Sequence, residues 1–203
     1  MTDTSQDGPG PVSFIQQARR SQLVECAIEL IAETGLAQAS TVRIAQRAGV
    51  SRGVLTYHFR DRDELIEQVV ARVYDLGAEF LLPRMREAAS PRDALARFIG
   101  GSVELYAAHP KHMAALAAVF GAVPGVERAR HERHARELED LERLLREGQE
   151  QGQFRAFDVP VMARTVRGAL DAAHAHIAAG GAVEPYATEL RATFDAATAA
   201  GTD

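Results

Sequence analysis

Apolar residues recur at spacings of three and four along almost the whole chain, the period of an amphipathic helix, and no stretch alternates as a strand would. The first stripe offers Ile15, Leu23, Ala27, Leu30 and Ile31, and the first helix is read from Arg20 to Thr34, closed by Gly35. Thr41 is placed to cap a short helix carrying Val42, Ile44, Ala45, Gln46 and Ala48. Gly49 stops that helix, because glycine enters the left-handed conformation without a Cβ penalty. Val50 plugs the turn and Ser51 caps the next helix, which carries Arg52, Gly53, Val54, Thr56, Tyr57 and His58. That mix of donors and small residues suits an exposed helix better than a core.

A long fourth helix is predicted from about Arg62 to Leu81, burying Leu65, Ile66, Val69, Val73, Leu76 and Phe80, with Pro83 ending or kinking it. Ser90-Pro91 with Asp93 signals the next start, followed by Leu95, Phe98, Ile99, Ser102, Val103 and Tyr106. His109-Pro110 breaks the pattern, Met113 to Phe120 resumes it, and Gly121 to Gly125 breaks it again. Val126 to Gln151 is strongly charged, with Leu138, Leu141, Leu144 and Leu145 as its seam. Asp158-Val159-Pro160 opens a helix to about Ala179 that is dense in small residues, among them Ala163, Gly168, Ala172 and Ala175. The last helix runs from about Glu184 to Ala199, carrying Tyr186, Leu190, Thr193, Phe194 and Ala197. The pattern is all-α, with about nine helices.

Two short helices joined by a glycine turn form a helix-turn-helix, a device that places an exposed helix in the DNA major groove. From Phe14 to about residue 70 the chain resembles the TetR family of transcriptional regulators. The resemblance rests on Ala48-Gly49-Val50-Ser51, then Gly53-Val54-Leu55, then Tyr57-His58-Phe59, then Arg62. Many members have two adjacent aromatics where this chain has Thr56-Tyr57. Rich in Gly, Pro and polar residues, 1–12 reads as a disordered tail, and the resemblance implies a three-helix DNA-binding domain over 13–60 and a helical ligand-binding and dimerisation domain over 61–203. It implies that Arg52, Gly53 and Val54 face base edges, while Thr41, Thr56, Tyr57, His58 and Arg62 are placed for phosphates. A homodimer through the last two helices, a palindromic operator and a repressor released by an unknown small-molecule effector are implied as well. Pocket candidates on apolar faces are Phe98, Tyr106, Met113, Leu116, Phe120 and Met162, with Asp171 or His174 as polar anchors.

Composition changes this picture in one respect. The net charge of −5 argues against nucleic acid, but its distribution does not. Phe14 to Arg60 holds six arginines and three acids, 6 − 3 = +3, while the residues from Asp61 onward hold 17 bases and 23 acids, 17 − 23 = −6. A basic head on an acidic body is what electrostatic docking to phosphate needs.

No run of about 18 apolar residues is present, so no membrane span is expected, and the N-terminus has neither part of a secretory signal. One cysteine, Cys26 on the apolar side of the first helix, makes no disulfide, and a reducing cytoplasmic setting fits. The pairs His109/His112, His131/His134 and His174/His176 invite a metal reading. His131-Glu132-Arg133-His134 misses the four-residue spacing of zinc proteases, and His174 and His176 point to different sides of a helix. With no nucleophile arrangement and no glycine-rich phosphate loop, the sequence is read as a non-enzyme without cofactor or metal. The alternatives are a helical-bundle enzyme with an incidental helix-turn-helix, an activator, and a DNA-binding regulator controlled by a protein partner.

Overall fold

Side-chain caps set most of the helix starts. A computed structural model of the chain describes residues 14–122 and 132–201. The head comprises α1 (Phe14–Thr34), a 3-10 turn (Leu36–Gln38), α2 (Thr41–Arg47) and α3 (Arg52–His58). The long α4 (Arg62–Arg86) leads into a body of α5 (Pro91–Ala108), α6 (Pro110–Gly121), α7 (Glu132–Glu150), α8 (Val159–Ala178) and α9 (Val183–Thr198). Ser51, Asp61, Ser90 and Asp158 each accept a backbone N–H three residues on, filling one of the orphan donors of a helix start. The described residues thus hold nine α-helices and no named strand. Among the described residues a single antiparallel bridge joins Phe154 to Ala199.

Four expectations need correction. Ser40, not Thr41, caps α2: its hydroxyl accepts from Arg43 N, and Thr41 is the first helical residue. α1 begins at Phe14 rather than Arg20, but its first turn has nothing to pack on, so Phe14 and Ile15 stand 87% and 78% exposed. α4 does not end at Leu81; it passes through Pro83 and stops at Arg86. A proline one turn from a helix end interrupts little of the bonding ladder. Ile66 and Phe80 are partly exposed rather than buried. The tail over 1–12, the Pro124 break and His131 lie outside the described residues.

One continuous apolar core runs from the head into the body. Leu23, Ile28 and Ile31 of α1 meet Ile44, Leu55, Phe59 and Leu65, fixing α3 against the head from behind. α5 is the central strut, packed by α4, α7, α8 and α9, and its face from Phe98 to Val103 is buried throughout. α6 is wedged between α1 on one side and α4 on the other. Cys26 is partly buried against this core, and burial raises its thiol above the ordinary value. Gly148 is obligatory: a Cβ there would lie 2.1 Å from the Phe154 ring, which closes the turn between α7 and α8.

Candidate nucleic-acid interface and ligand cavity

Gly49 takes φ +66° between α2 and α3, the turn its position predicts. α3 then turns Leu55 inward and leaves Arg52, Gly53, Thr56 and Tyr57 exposed, with Val54 and His58 half-buried. Most arginines of the head are engaged. Arg47 grips Glu33 through two nitrogens at 2.6 and 2.7 Å and also reaches Glu29. Arg43 donates to the Gln38 carbonyl and Arg19 to Gln22. Arg20 lies over the Phe59 ring, bonds Glu64 at 2.8 Å and donates to the His58 carbonyl. The Arg52 guanidinium, by contrast, has no partner among the described residues, so it is open to a guest at the start of α3.

The other expected contacts differ in character. Tyr57 is 71% exposed, and its hydroxyl accepts from Gln16 Nε2 at 3.0 Å, which holds the ring upright between α1 and α3. The Thr56 hydroxyl donates to carbonyls of its own helix, leaving its lone pairs outward. Burial, then Arg20 and Arg19, lower the His58 imidazole below its ordinary value, so near neutral pH it offers a hydrogen bond and not a charge. Thr41 is half-buried in the first turn of α2. Arg62 donates to the carbonyls of Leu36 and Ala39 at 2.5 and 3.4 Å, which ties the head's 3-10 turn to the start of α4.

Behind the head, α4 to α8 surround a cavity of about 490 Å³. Phe98, Tyr106, Met113, Leu116, Phe120, Asp171 and His174 all line it, and Met162 does not. On α8 the lining side chains are Arg167, Asp171 and His174, a stripe at four and three. Met162, five residues before Arg167, is turned about 140° away and packs on the core instead. Arg167 is the centre of the polar end. It donates to Glu137 Oε1 at 2.9 Å, to the Tyr106 hydroxyl at 2.8 Å and to Asp171 Oδ1 at 3.2 Å. Burial pulls its acidity one way, but Tyr106, Glu137 and Asp171 outweigh it and hold the guanidinium charged. Tyr74 shares a hydrogen bond with His134 at the same end, and His174 stands edge-on to Tyr106.

Against known sequences, the family "Bacterial regulatory proteins, tetR family" matches residues 23–69, and "Tetracyclin repressor-like, C-terminal domain" matches residues 88–193. The chain belongs to the TetR family.

The HTH-type transcriptional regulator BetI 1 of Chromohalobacter salexigens is 36% identical over 95 residues, 46% of this chain and 47% of that protein. The chain therefore aligns with about half the length of this curated relative. A TetR-like transcriptional regulator from Rhodococcus sp. RHA1 superposes with a TM-score of 0.67 at 26% identity, covering 85% of this chain and 91% of its own. AibR, in complex with isovaleryl coenzyme A and operator DNA, shares the fold with a TM-score of 0.71 at 21% identity, covering 86% and 97%. As in the rest of the TetR family, a small helical head precedes a larger helical body.

Three parts of the TetR-type site escape the sequence pattern. Arg20 looks like a spare cation but braces the head, and Arg62, expected at phosphate, also braces it through the carbonyls of Leu36 and Ala39. Arg167 looks like a surface residue of an alanine-rich helix, yet it joins α8 to α7 and α5. The one available hint is its i,i+4 relation to Asp171 on a stripe with Ala163, Val166 and Leu170. The histidine pairs have local roles: His112 meets Glu25 at 3.1 Å across α6 and α1, and His176 stacks on Tyr186.

Proposed function

We propose that the chain is a homodimeric, ligand-responsive transcriptional repressor that binds a palindromic operator through α3 and works in the cytoplasm. The observation that carries this is the open Arg52–Gly53 end of α3 on a basic head, joined by α4 and α6 to a cavity in the body. Residues 13–60 act as the DNA-binding unit and 61–203 as the ligand-binding and dimerisation unit. Arg52 reads a base edge, its fork matching guanine O6 and N7, Gly53 lets the helix approach the groove, and Val54 touches a thymine methyl. Thr41, Thr56, Tyr57 and the uncharged His58 contact phosphates, while Arg62 holds the loop that presents them.

Dimerisation is assigned to α8 and α9. Their outward faces carry Gly168, Ala172, Ala175, Ala192 and Ala196, all exposed, together with Val161. Small residues let a second pair of helices approach closely, giving a two-fold four-helix contact. The effector acts by favouring one spacing of the two heads over another. AibR, whose structure holds both an acyl thioester and operator DNA, supports the pairing of the two sites in one molecule.

A gel shift with the DNA upstream of the chain's own reading frame tests the core of this reading. Binding should fall steeply between about 50 and 200 mM salt, because phosphate contacts release counterions. A shift that ignores salt, or none at all, would count against the assignment.

A further inference from the structure

The cavity lining divides by helix. α4, α5 and α6 contribute an apolar wall, with Leu81, Phe98, Leu116 and Phe120 prominent, whereas α7 and α8 contribute most of the polar groups. A guest that satisfies both walls is amphipathic, since apolar atoms against the polar wall would leave buried groups unsatisfied.

The charges of the polar wall cancel. Arg133, Arg136 and Arg167 stand with Glu137, Asp140 and Asp171, three against three. Each already has an ionic partner: Arg133 with Asp75, Arg136 with Glu132, Asp140 with Arg143, and Arg167 with both Glu137 and Asp171. At the buried centre, a charged head group would have to displace a carboxylate from Arg167, whose pair with Glu137 is the most buried of these, and leave an ion there uncompensated.

What the buried centre of the polar wall lacks is an acceptor for its last two protons, because the carboxylates there are already taken up by arginines. A guanidinium can only donate, so in the 2.8 Å contact with Arg167 the Tyr106 oxygen accepts, and its own proton is left over. Among the described residues nothing takes that proton. Tyr106 is buried, and burial raises the phenol above its ordinary value, so the proton stays on. Arg167 Nε is a second buried donor without a partner. Unmatched buried donors are uncommon in folded proteins, and two neighbouring ones mark a place prepared for an oxygen.

We propose that the cavity takes an uncharged amphipathic ligand whose carbonyl-type oxygen accepts from the Tyr106 hydroxyl, its apolar body lying along α4, α5 and α6. This rests on reading the body as a ligand-sensing unit. Arg167 is a positioning residue: it aims the Tyr106 hydroxyl by occupying its lone pair, and it ties that geometry to α8.

Calorimetric titration of the full chain with three probes, each built on a twelve-carbon chain, tests the head group: 2-dodecanone, dodecanoate and dodecyltrimethylammonium. The ketone should bind at least about tenfold more tightly than either ion. Tyr106→Phe removes one oxygen and should weaken the ketone by about tenfold, the worth of a good neutral hydrogen bond. Circular dichroism checks that this variant folds, and if it does not, the order of the three probes on the unaltered chain decides. An ion binding as tightly as the ketone, unchanged ketone affinity in Tyr106→Phe, or no binding of any probe overturns the proposal. A gel shift on the same preparation separates the two readings. Lost DNA binding with the ketone preference intact would sink the repressor and leave the ligand chemistry standing.

Discussion

At the scale of single residues, Gly53 is the most telling position, because the fold does not require it. A Cβ there would lie 3.7 Å from Ser51 Oγ, an ordinary contact, and no unusual φ is involved. Alanine also favours a helix over glycine by about 1 kcal/mol. Gly53→Ala should therefore melt at the same temperature as the parent or higher, yet bind operator DNA more weakly because a methyl now meets the groove. Unchanged affinity in a titration would remove Gly53 from the interface. Glu64 gives a pH signature. Hydrogen bonds from the Arg20 side chain and the Arg60 backbone N–H lower its carboxyl to about 2. Its contribution to stability is thus whole above the ordinary carboxylate value of 4.5 and is lost as pH falls from there towards 2. Glu64→Gln should melt well below the parent at pH 7, with the gap narrowing at pH 3. Equal gaps at both pH values would show that the ion pair does not hold the head.

Elements were legible wherever the cause lies within a few residues. Ser51, Ser90 and Asp158 announce their helices because a cap and its target are three positions apart. Ser40 and Thr41 are equally able to cap, and local chemistry alone does not choose between them; the extended backbone of Ser40 does. Helical period also placed seven of the eight pocket candidates on the cavity, since an apolar stripe and a cavity wall are the same face. Arg167 was not legible, because its partners lie 30 and 61 positions away on other helices. The outward face of α8 yields a sharp expectation. A Cβ on Gly168 would meet nothing within 4 Å, so the protomer itself has room for a side chain. Gly168→Arg should leave the helical content unaltered and convert the dimer to a monomer in sedimentation. A dimer that persists would move the interface elsewhere.

For the whole molecule, the decisive feature is that one core joins head and body, running from Leu23 in α1 to Phe194 in α9. Ile44→Ala, in a site that is fully buried, should cost about 2–5 kcal/mol and lower a single melting transition for the entire chain. Two resolved calorimetric peaks, with only one of them moved, would show that the head folds on its own. α1 carries the connection outward as well: Glu29 and Glu33 hold Arg47 of α2 and also face Lys111 of α6. The wall that borders the cavity is therefore the wall that steadies the reading head.

The division of the cavity between helices has a consequence for descent. The groups that choose a ligand's polar head sit at the end of α5, where Tyr106 stands, and on α7 and α8, and α7 packs on α5 and α8. The groups that present α3 are braced by α1 and the start of α4. Mutations that change what is sensed and mutations that change which gene is governed thus fall on separate stretches of chain. A lineage carrying this protein can acquire a new signal while keeping its old target.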